Sequence, residues 1–140
     1  MPDSDLDVRT ELTNMRRASS LSALWVFVLL SMLFRDIHEL ANPEFVEQML
    51  SQTVPESLLL VAGIILAMPI LMVPLNHLLP PVWSRRANLL VVLIIAVAII
   101  TNPPGDLDDY WFTALELVGL VVIAWLAWRW RPEVTPPTPE

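Results

Sequence analysis

Leu89-Leu90-Val91-Val92-Leu93-Ile94-Ile95-Ala96-Val97-Ala98-Ile99-Ile100 contains no polar side chain. With its flanks it forms an apolar segment over residues 83–101, enough helix to cross a hydrocarbon core of roughly 30 Å. Asn102-Pro103-Pro104-Gly105 then forces a turn. Downstream, a second apolar segment over 109–130 is stopped by Pro132. Upstream, one over 55–79 is closed by Pro80-Pro81, and Pro55 suits a first helical turn, where its missing N–H is not needed. Pro69 and Pro74 lie inside this segment and are expected to kink it, which membrane helices tolerate. The first segment, 17–41, ends at Asn42-Pro43, because the residue before proline is driven out of the α region. The expectation is an all-α, integral membrane four-helix bundle. A polar N-terminal tail (1–16) precedes the transmembrane domain (17–131), and a disordered, proline-rich tail (132–140) follows it.

Composition agrees. Hydrophobic residues make up 55% of the 140 and charged residues 16%, against about 25% charged in soluble domains. The net charge is −7, so a basic nucleic-acid binder is excluded, since phosphate contacts need clustered cations. Cysteine is absent, which removes thiol redox chemistry and thiolate metal sites. Arg16-Arg17 before an apolar run resembles a signal peptide, but no small-x-small cleavage site follows, and an uncleaved first span is expected.

All cations are arginines. Arg9, Arg16 and Arg17 precede the first span, Arg85 and Arg86 separate the second from the third, and Arg129 and Arg131 follow the fourth. With four spans these share one side. The connections 42–54 and 102–108 lack arginine and carry Glu44, Glu47, Asp106 and Asp108. The positive-inside rule then predicts both termini in the cytoplasm, N-in and C-in, in a multi-pass cell-membrane protein. Trp83, Trp128 and Trp130 mark the inner interface, and Tyr110 and Trp111 the outer.

Ionisable groups within spans are costly and point to function by default. They are Arg35, Asp36, His38 and Glu39 in the first span and Glu116 in the fourth. Asp36 lies five residues inside the first span, roughly 8 Å, and Glu116 six residues inside the fourth, roughly 9 Å. Both belong to the outer leaflet at similar depth. A purely structural role is available, because Arg35 and Glu39 are i, i+4 and can pair on one helix face. The functional alternative rests on a count. One arginine faces Asp36, Glu39 and Glu116, so at least one carboxylate is left to bind a cation, a proton or a polar head group.

His38 and His77 sit near opposite ends of their spans, roughly 25 Å apart on the helix rise, so one metal cannot bridge them. His77 with Asn76 reads as an interfacial pair beside Arg85 and Arg86. The tryptophans Trp125, Trp128 and Trp130 read as an interfacial belt. Gly63 and Gly119 form no small-xxx-small pair, although Gly119 lies one turn from Glu116 on the same face and permits close approach of a helix. Phosphate loops, nucleophile elbows and paired metal-ligand motifs are absent.

Leu24-Trp25-Val26-Phe27, then Asp36-Ile37, Pro69-Ile70 and Arg85-Arg86-Ala87-Asn88, and finally Glu116 ahead of Trp125-Leu126-Ala127-Trp128-Arg129-Trp130 resemble a family of small prokaryotic four-span membrane proteins. That family is described only as a domain of unknown function. The likeness spans residues 18–131. It implies the four-span fold and draws attention to Asp36, Asn88 and Glu116, without supplying an activity. Two departures stand out: an acidic residue is expected near Ala67, and a small one where Arg35 stands.

Two functions compete ahead of a membrane-embedded enzyme, for which no catalytic constellation is visible. One is a non-enzymatic binding or accessory bundle. The other is a small proton- or cation-coupled transporter or channel. No cofactor and no metal are expected. The expected partners are the lipid bilayer and a second copy of the chain or another membrane protein.

Overall fold

The computed structural model describes residues 2–51, 53–102, 104–105 and 107–130, with the side chains of residues 2–7 and 48 excepted. The proline-rich tail expected at 132–140 lies outside them, as do Asp106 and Arg131. Five helices follow in order: α1 (Pro2–Leu40), α2 (Pro43–Ser51), α3 (Glu56–Leu78), α4 (Pro81–Thr101) and α5 (Leu107–Arg129). Four are long and apolar enough to cross a membrane, the segment Val8–Leu40 of α1 together with α3, α4 and α5.

Two elements differ from the sequence expectation. Helix α1 begins at Pro2 rather than near Arg17, and its 39 residues extend roughly 58 Å at 1.5 Å per residue. No glycine or proline interrupts the chain between Pro2 and Pro43, so nothing stops the helix once it has begun. Thr13 and Ser20 fold their hydroxyls onto the carbonyls of Arg9 and Arg16, one turn back. Helix α2 was expected as part of a loop. Asn42 ends α1 and also starts α2, its Oδ1 accepting the Glu44 N–H at 3.1 Å, while Pro43 takes the first helical position.

Helix α1 packs against α3 and α5, and α4 packs against the same two. The long helices therefore close in chain order into a four-membered ring. On α1 the buried residues Ala18, Leu21, Ser22, Trp25, Val28, Ser31 and Met32 recur at three- and four-residue spacing, the signature of one helix face turned to a core. On α5 the matching stripe is Glu116, Gly119, Leu120, Ile123 and Ala127. Met72 of α3 and Ile95 and Ile99 of α4 complete the core. Leu59, Leu60, Leu90, Leu93, Val118 and Val121 face outward, as lipid-facing side chains do.

Lipid tails are as apolar as leucine, so burial alone does not hold such helices together; close packing and interhelical hydrogen bonds do. Gly119 provides the first. A Cβ there would meet Val28 Cγ2 at 2.6 Å and Phe27 Cδ1 at 3.3 Å, so its missing side chain lets α1 and α5 approach. The second includes the Ser22 hydroxyl, which donates to the Val73 carbonyl across α1 and α3 at 2.9 Å. Helix α3 runs unbroken through Pro69 and Pro74.

At the end of the bundle where α4 begins and α5 ends, Arg85 stacks over Trp128, Arg86 over Trp83 and Arg129 over Trp125, at 4.6–5.6 Å from the ring centroids. Trp130 departs from the expected belt. It is buried, and its indole N–H donates to Asn14 Oδ1 at 3.2 Å, tying the N-terminal extension of α1 to the end of α5.

Candidate functional site

Arg35 continues the buried stripe of α1 one turn beyond Met32, which turns its side chain toward α5. Glu116 is the first buried residue of the facing stripe on α5. Arg35 Nη1 donates to Glu116 Oε2 at 3.0 Å, with the carboxylate side chain fully buried and the arginine 21% exposed. The partner of Arg35 is therefore Glu116, on another helix. The i, i+4 bridge to Glu39 is not made among the described residues. Glu116 Oε1 accepts no hydrogen bond among the described residues, so the pair neutralises the charge and leaves one carboxylate oxygen unpartnered.

The remaining sequence-selected residues surround this pair. Asp36, turned about 100° from Arg35 by the helix, lies at the outside of the bundle, with the Arg35 guanidinium as its neighbouring cation. Glu39, half-buried, faces Asp109 in the first turn of α5. His38 Nε2 lies 3.1 Å from Asp108 Oδ2, and both side chains are largely in the open, where such a contact contributes little. Arg35 and Glu116 are thus in direct contact, while His38 and Glu39 turn to acids at the start of α5.

Arg35 and Asp36 line a cleft of about 320 Å³ between α1, α3 and α4. Its other walls are mainly apolar, Met32, Leu66, Ile95 and Ile99 among them, with Asn102 at the rim. Gly63 of α3 leaves it room, since a Cβ there would meet nothing within 4 Å. The cleft therefore joins an apolar slot to one guanidinium, with donors to spare beyond the bond to Glu116, and one carboxylate.

A second polar constellation lies toward the opposite end. Trp25 Nε1 donates to Asn88 Oδ1 at 2.7 Å, Asn88 Nδ2 donates to Asn76 Oδ1 at 2.6 Å, and the Ser84 hydroxyl donates to Asn76 Oδ1 at 3.0 Å. All four residues are buried. Asn76 is therefore not half of an interfacial pair with His77. The two are adjacent on α3, about 100° apart, and only His77 faces outward. The signal was present in the spacing: Ser84, Asn88, Ile95 and Ile99 form one stripe of α4, and Pro69, Met72 and Asn76 one stripe of α3. Polar residues on a stripe that is otherwise core must find partners there.

Between the two constellations, Val28, Met32, Ile95, Leu120 and Ile123 form a buried apolar layer. Ten residues separate Trp25 from Arg35, roughly 15 Å along α1. No group of three or more His, Cys, Asp and Glu side chains able to hold a metal ion occurs among the described residues.

No curated protein and no solved structure matches the chain. Residues 10–135 match the model of a family described as one of unknown function. That match covers all four candidate spans but for the first two residues of the segment beginning at Val8, and on it the chain belongs to the DUF6326 family.

Proposed function

We propose that this protein is a non-enzymatic lipid-binding bundle of the cell membrane, with both termini cytoplasmic. In this reading the cleft beside Arg35 and Asp36 seats the head group of a zwitterionic amphiphile from the outer leaflet. The observation that carries it is the pairing of opposite charges on one apolar cleft. Arg35 is anchored from behind by Glu116 and offers its remaining donors to a phosphate oxygen. Asp36 offers a carboxylate to an ammonium group. The walls from α3 and α4 take an acyl chain. Phosphatidylethanolamine has this chemistry and phosphatidylglycerol lacks the cation.

Native mass spectrometry of the detergent-solubilised protein with an equimolar mixture of the two lipids tests the reading. Preferential retention of phosphatidylethanolamine, lost in Asp36→Asn, is expected. Equal retention of both lipids, or a preference unchanged in Asp36→Asn, would contradict it.

One observation favours proton- or cation-coupled transport instead: the unpartnered Oε1 of the buried Glu116 is placed to take a proton or a cation. Against it stands the apolar layer that separates Glu116 from the Asn76–Asn88 network, because a hydrated path would have to cross it. Uptake driven by a pH gradient in proteoliposomes, abolished by Glu116→Gln, would favour transport over binding.

A further inference from the structure

Where α3 ends and α4 begins, α1, the end of α3, the start of α4 and Trp130 after α5 line an open cavity of about 390 Å³. We propose that it is a second binding site, independent of the Arg35 cleft, which holds the carbonyl oxygen of an uncharged, largely apolar molecule against the side-chain amide of Asn76.

The polarity of the buried network carries the inference. An indole nitrogen is only ever a donor, so Trp25 Nε1, at 2.7 Å, fixes which end of the Asn88 amide is its oxygen. Asn88 must then present its NH₂ to Asn76, at 2.6 Å, and the facing atom of Asn76 must be its oxygen. The Ser84 hydroxyl converges on that same oxygen. The Asn76 NH₂ is therefore the end of the amide that α4 does not engage. It is the one donor of this network left without a partner among the described residues, on a side chain only 2% exposed. Asn76 belongs to the wall of the cavity. An unpaired buried donor costs about 1–3 kcal/mol, so an acceptor in the cavity restores what the network lacks.

The rest of the wall selects the ligand. Met15, Ala18, Leu79 and Trp130 supply apolar surface. Asn14 has its oxygen occupied by the Trp130 indole. Glu11 and His77 are the ionisable lining residues. An anion would face Glu11 with no arginine in the wall, and a cation cannot accept from Asn76. A neutral carbonyl on an apolar body fits. Water entering the open cavity could also accept from Asn76, but it would leave the apolar walls wet. The volume falls in the usual range for small-molecule pockets, roughly 300–1,000 Å³.

The test is a thermal-shift titration of the detergent-purified full chain with three probes: 2-undecanone, a free ketone; undecane, its counterpart without an acceptor; and dioctanoylglycerol, whose carbonyls are lipid esters. The ketone or the diacylglycerol is expected to raise Tm in proportion to binding, and undecane is not. A shift with the diacylglycerol alone identifies a lipid ester as the source, and one with the ketone identifies a free carbonyl compound. Asn76→Asp keeps the oxygen that accepts from Ser84 and Asn88 but removes the donor, and should weaken carbonyl binding about tenfold. Ala18→Phe adds bulk at a lining residue that makes no hydrogen bond in the network, and should abolish the shift. It serves where Asn76→Asp does not fold. Equal shifts with ketone and alkane, no shift with either carbonyl probe, or an undiminished shift in Ala18→Phe would overturn the proposal.

Discussion

Arg35 and Glu116 meet across α1 and α5 at 3.0 Å, 81 residues apart in the chain, with the carboxylate fully enclosed. Removing one partner of such a pair leaves an uncompensated buried charge. Removing both replaces it with apolar contact, which is often close to neutral. Arg35→Leu is therefore expected to destabilise the protein by up to about 3–5 kcal/mol, and Arg35→Leu with Glu116→Leu by much less. Denaturant unfolding in mixed micelles measures both. Additive losses in the double variant would show that the two residues do not interact.

The Trp25–Asn88 bond gives a second expectation. Trp25→Phe keeps most of the packing and deletes the donor, leaving Asn88 Oδ1 buried and unpaired. Interhelical hydrogen bonds in membranes contribute about 0.6 kcal/mol on average and about 1.7 kcal/mol at most, so the loss should be about 1–2 kcal/mol. Asn88→Leu strands Trp25 Nε1 and also removes one of the two donors to Asn76 Oδ1, and should cost more than Trp25→Phe. The same unfolding assay ranks the two, and the reverse order would refute the network.

Close approach at Gly119 predicts intolerance of a single methyl group. Val28 is fully buried and β-branched, so it has few rotamers with which to retreat from a Cβ that would stand 2.6 Å away. Gly119→Ala should destabilise by about 1–3 kcal/mol as an overpacking change. Gly63 is the control: its side-chain space is open, and Gly63→Ala should be neutral or stabilising by about 0.4–1 kcal/mol. Melting temperatures of the two variants should move in opposite directions, or only that of Gly119→Ala should fall.

The four spans were legible because lipid imposes a simple requirement, long uncharged runs bounded by prolines and arginines. The short helix α2 was not, since its start is built by Asn42 and Pro43, which also read as the end of α1. The depth count from two helix ends placed Asp36 and Glu116 at one level; the structure pairs Glu116 with Arg35, the residue before Asp36 in the chain. Choice of partner was harder. Spacing along α1 offered Glu39 to Arg35, whereas the position of Arg35 on the buried stripe turned it to Glu116. Asn76 and Ser84 were hidden for the opposite reason. They sit near span ends, where polar residues usually face the interface, and only the stripe they share with core residues marks them as buried.

Orientation can be read with thiols, since the native chain has none. Thr10, in the N-terminal part of α1, and Glu47, on α2 beyond the other end of α1, are both exposed. Glu47→Cys is expected to react with a membrane-impermeant maleimide in intact cells, and Thr10→Cys only after permeabilisation. Labelling of Thr10→Cys in intact cells would reverse the proposed topology.

Lipid occupancy of the Arg35 cleft is open to photocrosslinking with phosphatidylethanolamine bearing a diazirine on its acyl chain, mapped by peptide mass spectrometry. The expected adducts concentrate on Ala62, Gly63, Ile65 and Leu66 of α3, which line the cleft beside Arg35 and Asp36, and fall to the level of other exposed helix faces in Asp36→Asn. Adducts spread evenly over outward residues such as Leu59, Leu90 and Val121, with no change in Asp36→Asn, would contradict a lipid site in this cleft.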